Sequence, residues 1–110
     1  MRPIPKRMLP DSCSVQVPKT DALMGGEYAD PITLSGVYVE PVSRVRPTSY
    51  QLQDVTNAVM YVDATNTKGA LRIPSGSLVT LEGEVSPSSV AACHEFSAFG
   101  RVHHWEVELA

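Results

Sequence analysis

The sequence predicts an all-β fold: a sandwich or, on the strength of one bulge, a small antiparallel β-barrel with an extended N-terminal arm and a long loop after its second strand. Three observations carry this. Short apolar or alternating runs recur along the 110 residues, separated by Gly- and Pro-rich turns. No 3.6-residue apolar period runs long enough for a long helix. At the end of the chain, Arg101 to Leu109 alternates strictly, with His103, Trp105, Val107 and Leu109 on one face and His104, Glu106 and Glu108 on the other. The only Trp sits at the centre of that stretch, and so large an apolar side chain marks a strand that closes a core.

Taken in order, residues 1–10 hold Pro3, Pro5 and Pro10. Proline fixes φ and removes a donor, so this arm is expected to be extended and unpaired, with Ile4, Met8 and Leu9 to bury on its own domain or on a neighbour. Cys13, Val15 and Val17 alternate with Ser12, Ser14 and Gln16, a first strand ending at Pro18. Lys19 to Asp30 reads as a loop around Gly25-Gly26. From Ile32 to Glu40 a second strand changes parity: Ile32 and Leu34 share one face, Val37 and Val39 the other. A bulge at Ser35-Gly36 absorbs the extra residue, and bulges supply the bending that a closed barrel needs.

Alternation stops from Pro41 to Asn57, a long connection of the kind that is commonly functional. Its best short helix candidate is Tyr50 to Ala58. Ala58 to Ala64 is apolar and β-branched enough for a buried strand, followed by a turn at Thr65–Gly69. Leu71 and Ile73 lead to a second turn at Pro74–Gly76. Leu78–Leu81 and Val85 flank Glu82-Gly83-Glu84 as a tight hairpin. Val90–Cys93 continues a strand, and His94 to Gly100 is read as the turn into the last one. The predicted core is Val15, Val17, Leu34, Val37, Val39, Met60, Val62, Leu81, His103, Trp105, Val107 and Leu109. Length and patterning fit one domain, 1–110, with the arm at 1–10 and the barrel at 11–110.

Composition narrows function without naming it. The net charge of −3 offers no general attraction to nucleic acid, yet the arm carries Arg2, Lys6 and Arg7 with no acid, leaving six basic against twelve acidic residues in the body. No membrane-length apolar run and no signal-peptide core is present, so a reducing cytoplasm is expected, with Cys13 and Cys93 as free, buried thiols.

The sharper chemistries fall away. Adjacent strand residues point to opposite faces, so His103 and His104 are not expected to reach one metal ion, and no Cys-x-x-Cys or His-x-x-x-His spacing exists. His103 is expected at the core edge on a backbone partner, and His104 in solvent. Cys93-His94-Glu95 has nucleophile-type side chains but only in tandem, and no serine lies in a Gly-x-Ser-x-Gly elbow. Glu106 and Glu108 share a face, where exposed carboxylates are ordinarily solvating groups. Neither an enzyme nor a cofactor is indicated. An OB-like single-stranded nucleic-acid binder would use Tyr38, Tyr50, Tyr61, Phe96 and Phe99 for stacking, against an acidic body whose local basic pair is Arg44 and Arg46.

Met1–Pro10, Tyr28–Pro41 and the ending His103–Leu109 together resemble the small minor capsid proteins of tailed phages and prophages of Gram-positive bacteria, with 42–100 departing most. The resemblance implies a structural virion protein at the head–tail junction, made in the host bacterial cytoplasm and not in a membrane. It implies a stopper, or head-closure, subunit that seals the portal channel after DNA packaging and offers the tail a docking surface. Its partners would be the portal and adaptor ring, tail proteins and further copies in a homo-oligomeric ring such as a dodecamer, from subunits monomeric in isolation. Contact with packaged double-stranded DNA would carry no sequence specificity. By position, Arg44, Arg46, Thr48, Tyr50, Gln51 and Gln53 would belong to the channel or gating loop, and Arg2, Ile4, Lys6, Arg7, Met8 and Leu9 to the docking arm. A tail-terminator or tail-joining protein is the runner-up.

Overall fold

A computed structural model describes residues 2–19, 27–45 and 50–110. Six strands form a closed antiparallel barrel in the order β1-β2-β3-β6-β5-β4: β1 Asp11–Gln16, β2 Ile32–Pro41, β3 Ala58–Asp63, β4 Leu78–Leu81, β5 Ser88–Ala98 and β6 Arg101–Leu109. Among the described residues there is no α-helix; of two 3-10 turns, Lys6–Met8 lies in the second half of the arm and Val42–Arg44 where the long loop begins.

Inside, Cys13, Val15, Leu34, Val37, Met60, Val62, Ile73, Val79, Val90, Trp105, Val107 and Leu109 form one apolar cluster. Val17, Val39 and Leu81 pack against it partly buried. His103 is not among them and sits at the barrel's end, a correction explained below. Leu34 and Val37 are both fully buried although of opposite parity. The register explains this: Ser12 pairs with Ser35 and Asp11 with Val37, leaving Gly36 as the extra residue of a bulge. Gly36 has φ +85, and a Cβ there would sit 3.1 Å from the Asn66 carbonyl oxygen. The close approach comes from the 65–69 turn docking on the bulge, with Ser35 and Lys68 exchanging both backbone bonds and Thr67 Oγ1 donating to the Gly36 carbonyl.

β3 is buried on both faces, which is why its sequence is a near-continuous apolar run. Met60 and Val62 point into the core, while Val59 and Asp63 are buried outside it. Asp63 accepts the Ile4, Thr65 and Asn66 amides, at 2.9, 3.0 and 2.7 Å. Asn66 Nδ2 in turn donates to the Ile4 carbonyl at 2.8 Å. Of the two places expected for the arm, its own domain or a neighbour, the structure shows the first. The arm makes a 3-10 turn, buries Leu9, leaves Met8 exposed and is tied to its own barrel through Ile4.

Three further readings change. Tyr50 to Ala58 is not helical: residues 50–57 are an irregular segment laid along the barrel, and β3 starts at Ala58. The Glu82–Glu84 turn is not a tight hairpin between Leu81 and Val85. Glu84 N does bond back to the Leu81 carbonyl across Gly83, but Val85 is 98% exposed and β5 begins at Ser88. His94 to Ala98 is not a turn but the second half of β5. The turn is Phe99-Gly100 alone, with both φ positive (53 and 76), the two-residue type I′ geometry that matches strand twist.

β4 meets β5 at Leu78↔Ser89 and Val79↔Ser88, whereas β6 runs beside β5 from Val90 to Ala98. The short seam is supplemented by Gly76 N to Val90 O and Val90 N to Ser77 O, each 2.9 Å. Beside it the fully buried Ile73, from a segment that is not a strand, adds an apolar side chain to the core. Both cysteines are free thiols: Cys13 is buried and Cys93 partly so, and burial pushes the Cys13 thiol up to about 11.

Candidate functional site

The outer face of β3, β6 and β5 carries the densest polar and aromatic cluster of the described residues. Register builds it: Glu106 lies between Tyr61 and His94, and His104 between Asp63 and Phe96. The period-two rule places His94 and Phe96 on this face together with His104, Glu106 and Glu108. Residues 50–57 then cover it.

Glu108, expected in solvent, is fully buried. One of its oxygens accepts Thr56 Oγ1 at 2.7 Å and the Gln53 amide at 2.8 Å, and the other takes His94 Nε2. Glu106 accepts Tyr50 Oη at 2.9 Å and His104 Nε2 at 2.8 Å. Tyr50 stacks on His94 with centroids 3.6 Å apart, and Phe96 stacks on His104 at 4.8 Å. Asn57 N to Leu109 O, 2.7 Å, ties down the end of the segment. Alternation told which face each carboxylate occupies. It could not tell that a distant loop roofs that face.

The electrostatics follow from this roof. Burial alone would raise both carboxylates; hydrogen bonds from His104 and Tyr50 to Glu106, and from Thr56, the Gln53 amide and His94 to Glu108, outweigh it and hold both below the ordinary 4.5. Burial, with Glu106 and Glu40 nearby, pushes the Tyr61 phenol up to about 12. Tyr50 is raised as well, first by burial and then by its bond to Glu106. The arrangement holds buried charge in place by donors from three separate chain segments. It fastens residues 50–57 to the barrel wall.

The two adjacent histidines do converge. Phe96 pairs with His104 and Ser97 with Val102, so His103 is the extra residue of a bulge, and a bulge turns consecutive side chains toward one side. Their Nδ1 atoms are 2.7 Å apart, and His103 Nε2 meets the Arg2 carbonyl oxygen. His103 thus has a backbone partner at the rim, outside the core, and His104 is partly buried against Glu106. No group of three or more His, Cys, Asp or Glu side chains among the described residues could hold a metal ion.

Of the residues proposed for the loop, Tyr50 and Gln53 meet in this cluster, and Gln51 is exposed. Arg44 closes the 3-10 turn with its backbone; Arg46 and Thr48 lie outside the described residues. In the arm, Arg2 and Ile4 make the backbone contacts above, Leu9 is buried, and Lys6, Arg7 and Met8 are exposed. Sequence reasoning weighed His94 beside Cys93 and Glu95, and Phe96 as a stacking ring, but did not bring them to this face. Their spacing of two, in phase with His104, Glu106 and Glu108, becomes a signal once β5 is extended to Ala98.

No helix among the described residues is long and apolar enough to cross a membrane. Neither curated proteins nor solved structures yield a match. The family described as "Minor capsid protein" matches residues 5–109, nearly the whole chain. The chain therefore belongs to the minor capsid protein family, and is a structural protein of a phage virion that works in contact with other virion components.

Proposed function

We propose that this chain is the stopper, or head-closure, subunit of a head–tail connector, forming a homo-oligomeric ring beneath the portal and adaptor and offering a docking surface to tail proteins. The observation that carries the reading is the fastening of residues 50–57 to the barrel flank. Tyr50, Gln53 and Thr56 meet Glu106 and Glu108 through a handful of polar bonds, so the downstream half of the long loop has a discrete docked state. A gate needs such an element, one that can be held and then released. The acidic body supports the same reading, because basic walls would retain the phosphates of a sliding duplex.

The loop-roofed flank counts against a free single-stranded nucleic-acid binder. Tyr50, Phe96 and the two Tyr rings, Tyr38 and Tyr61 (centroids 5.8 Å apart), are already stacked within the chain. Heads assembled with a Tyr50→Ala, Thr56→Ala chain test the gate. The expected result is a folded barrel and heads that lose packaged DNA to external nuclease. Heads that keep full genomes and join tails at the normal rate would remove the stopper assignment and favour a tail-joining role.

A further inference from the structure

A continuous line of hydrogen bonds runs across the flank from the arm to the loop. The Arg2 carbonyl oxygen meets His103 Nε2; His103 Nδ1 meets His104 Nδ1; His104 Nε2 meets Glu106 Oε2; and Glu106 Oε1 accepts Tyr50 Oη. We infer that this line couples the docking of the arm to that of the loop, and that the docked state holds one more proton than the undocked one.

The proton count follows from the acceptors. A backbone carbonyl can only accept, so His103 Nε2 must carry a hydrogen. The contact between the two Nδ1 atoms needs one hydrogen between them, and the contact between His104 and Glu106 needs another. Three hydrogens are required, whichever atoms hold them. Two neutral imidazoles beside an ionised carboxylate supply two. The cluster of His103, His104 and Glu106 therefore closes its line only by taking up a proton, and its net charge is then zero. Releasing Arg2 frees His103 Nε2 from its need to donate, so the extra proton can leave. By linkage, rising pH favours release of the arm, and docking the arm draws in a proton.

The charged and titratable surroundings on every packed element are consistent with one extra proton here. On β3, Tyr61 pairs with Glu106, and the buried carboxylate Asp63 pairs with His104. On β5, His94 pairs with Glu106 and binds Glu108. From β2, Tyr38 and Glu40 line the same groove as His104. Arg101 lines the opening beside His103, and Tyr50 reaches in from the loop. Carboxylates thus stand on β2, β3 and β6, with Arg101 as the permanent cation at the opening and Arg2 present through its backbone carbonyl. That the arm and loop respond together is a statement about this geometry alone; that the response regulates a channel rests on the stopper reading.

Hydrogen exchange on the full chain tests it, read at two amides: Ile4, bonded to Asp63, reports the arm, and Gln53, bonded to Glu108, reports the loop. Corrected for the intrinsic rate, Ile4 protection should fall about tenfold per pH unit where undocking releases that proton, as one linked proton requires. In Glu106→Gln the amide NH2 can donate to a neutral His104 while its carbonyl still accepts from Tyr50, so the line closes with two neutral imidazoles. Ile4 protection in that variant should stay high and flat with pH. Removing residues 1–3 should lower Gln53 protection about fivefold, a modest coupling. A flat wild-type profile, an unchanged slope in Glu106→Gln, or Gln53 protection indifferent to the arm would each overturn the inference. Since these readouts need no phage head, coupling seen in a chain whose Tyr50→Ala, Thr56→Ala heads still hold DNA would sink the stopper reading and leave the coupling intact.

Discussion

Glu108 shows how much one side chain can hold. A fully buried carboxylate that accepts from Thr56, the Gln53 amide and His94 cannot be truncated without stranding three donors. Glu108→Ala should cost about 2–4 kcal/mol in urea unfolding; a loss within the roughly 0–1 kcal/mol typical of surface pairs would mean that the roof opens freely. Trp105 is the apolar counterpart, with an indole N–H that finds no acceptor among the described residues. Trp105→Ala should remove about 3–5 kcal/mol. Phe99 is the opposite case: 94% exposed, with φ 53 in a turn that favours Asn. Phe99→Asn should raise stability by about 0.5–1 kcal/mol, seen as a higher urea midpoint. Trp105 was legible in the sequence because size and periodicity sufficed. Glu108 was not, because its burial is decided by residues more than fifty positions away.

Among elements, the strands with strong local patterns were read well and the one without was not. β2 even revealed its bulge, since Leu34 and Val37 must both be inside and only an extra residue allows it. β5 was cut short because His94, Glu95 and Ser97 have little strand preference of their own; pairing with β6 makes them a strand, and a turn at Phe99-Gly100 lacks the usual Asn. Positive-φ glycines divide by their surroundings. A Cβ on Gly69 would lie 2.7 Å from the Thr33 carbonyl oxygen, whereas one on Gly83 meets nothing within 4 Å. Gly69→Ala should therefore lower the melting temperature clearly more than Gly83→Ala, which carries only the backbone penalty of about 1–2 kcal/mol. The β6–loop fastening has its own acid limit. Glu106 and Glu108 titrate below 4.5 in the fold, so their contribution is complete above that value and is lost as pH falls through the lowered ones. Urea midpoints should drop below about pH 4.5, and the Glu106→Gln, Glu108→Gln double variant should flatten that drop.

For the molecule as a whole, the sequence placed an arm, a barrel and a long loop in order, but not how the outer two wrap the middle one. Ile4, Met8 and Leu9 told that the arm has apolar surface to bury but not where, because the bonds that place arm and loop run to a backbone carbonyl and to the carboxylates of Asp63, Glu106 and Glu108. What the barrel itself will do under load follows from its seam. β4 holds β1 along Cys13↔Leu81 to Gln16↔Leu78 but meets β5 at two pairs and one flanking bridge. If the wall parts, it parts there, and the product is an open sheet, β4-β1-β2-β3-β6-β5, with two bare edges. Free edges seek strands. In a crowded assembly the nearest ones belong to a neighbouring copy, so strand exchange between subunits is the failure mode this wall invites, and Val90→Ala, which loosens the seam's apolar backing, should promote it as concentration-dependent dimers in light scattering.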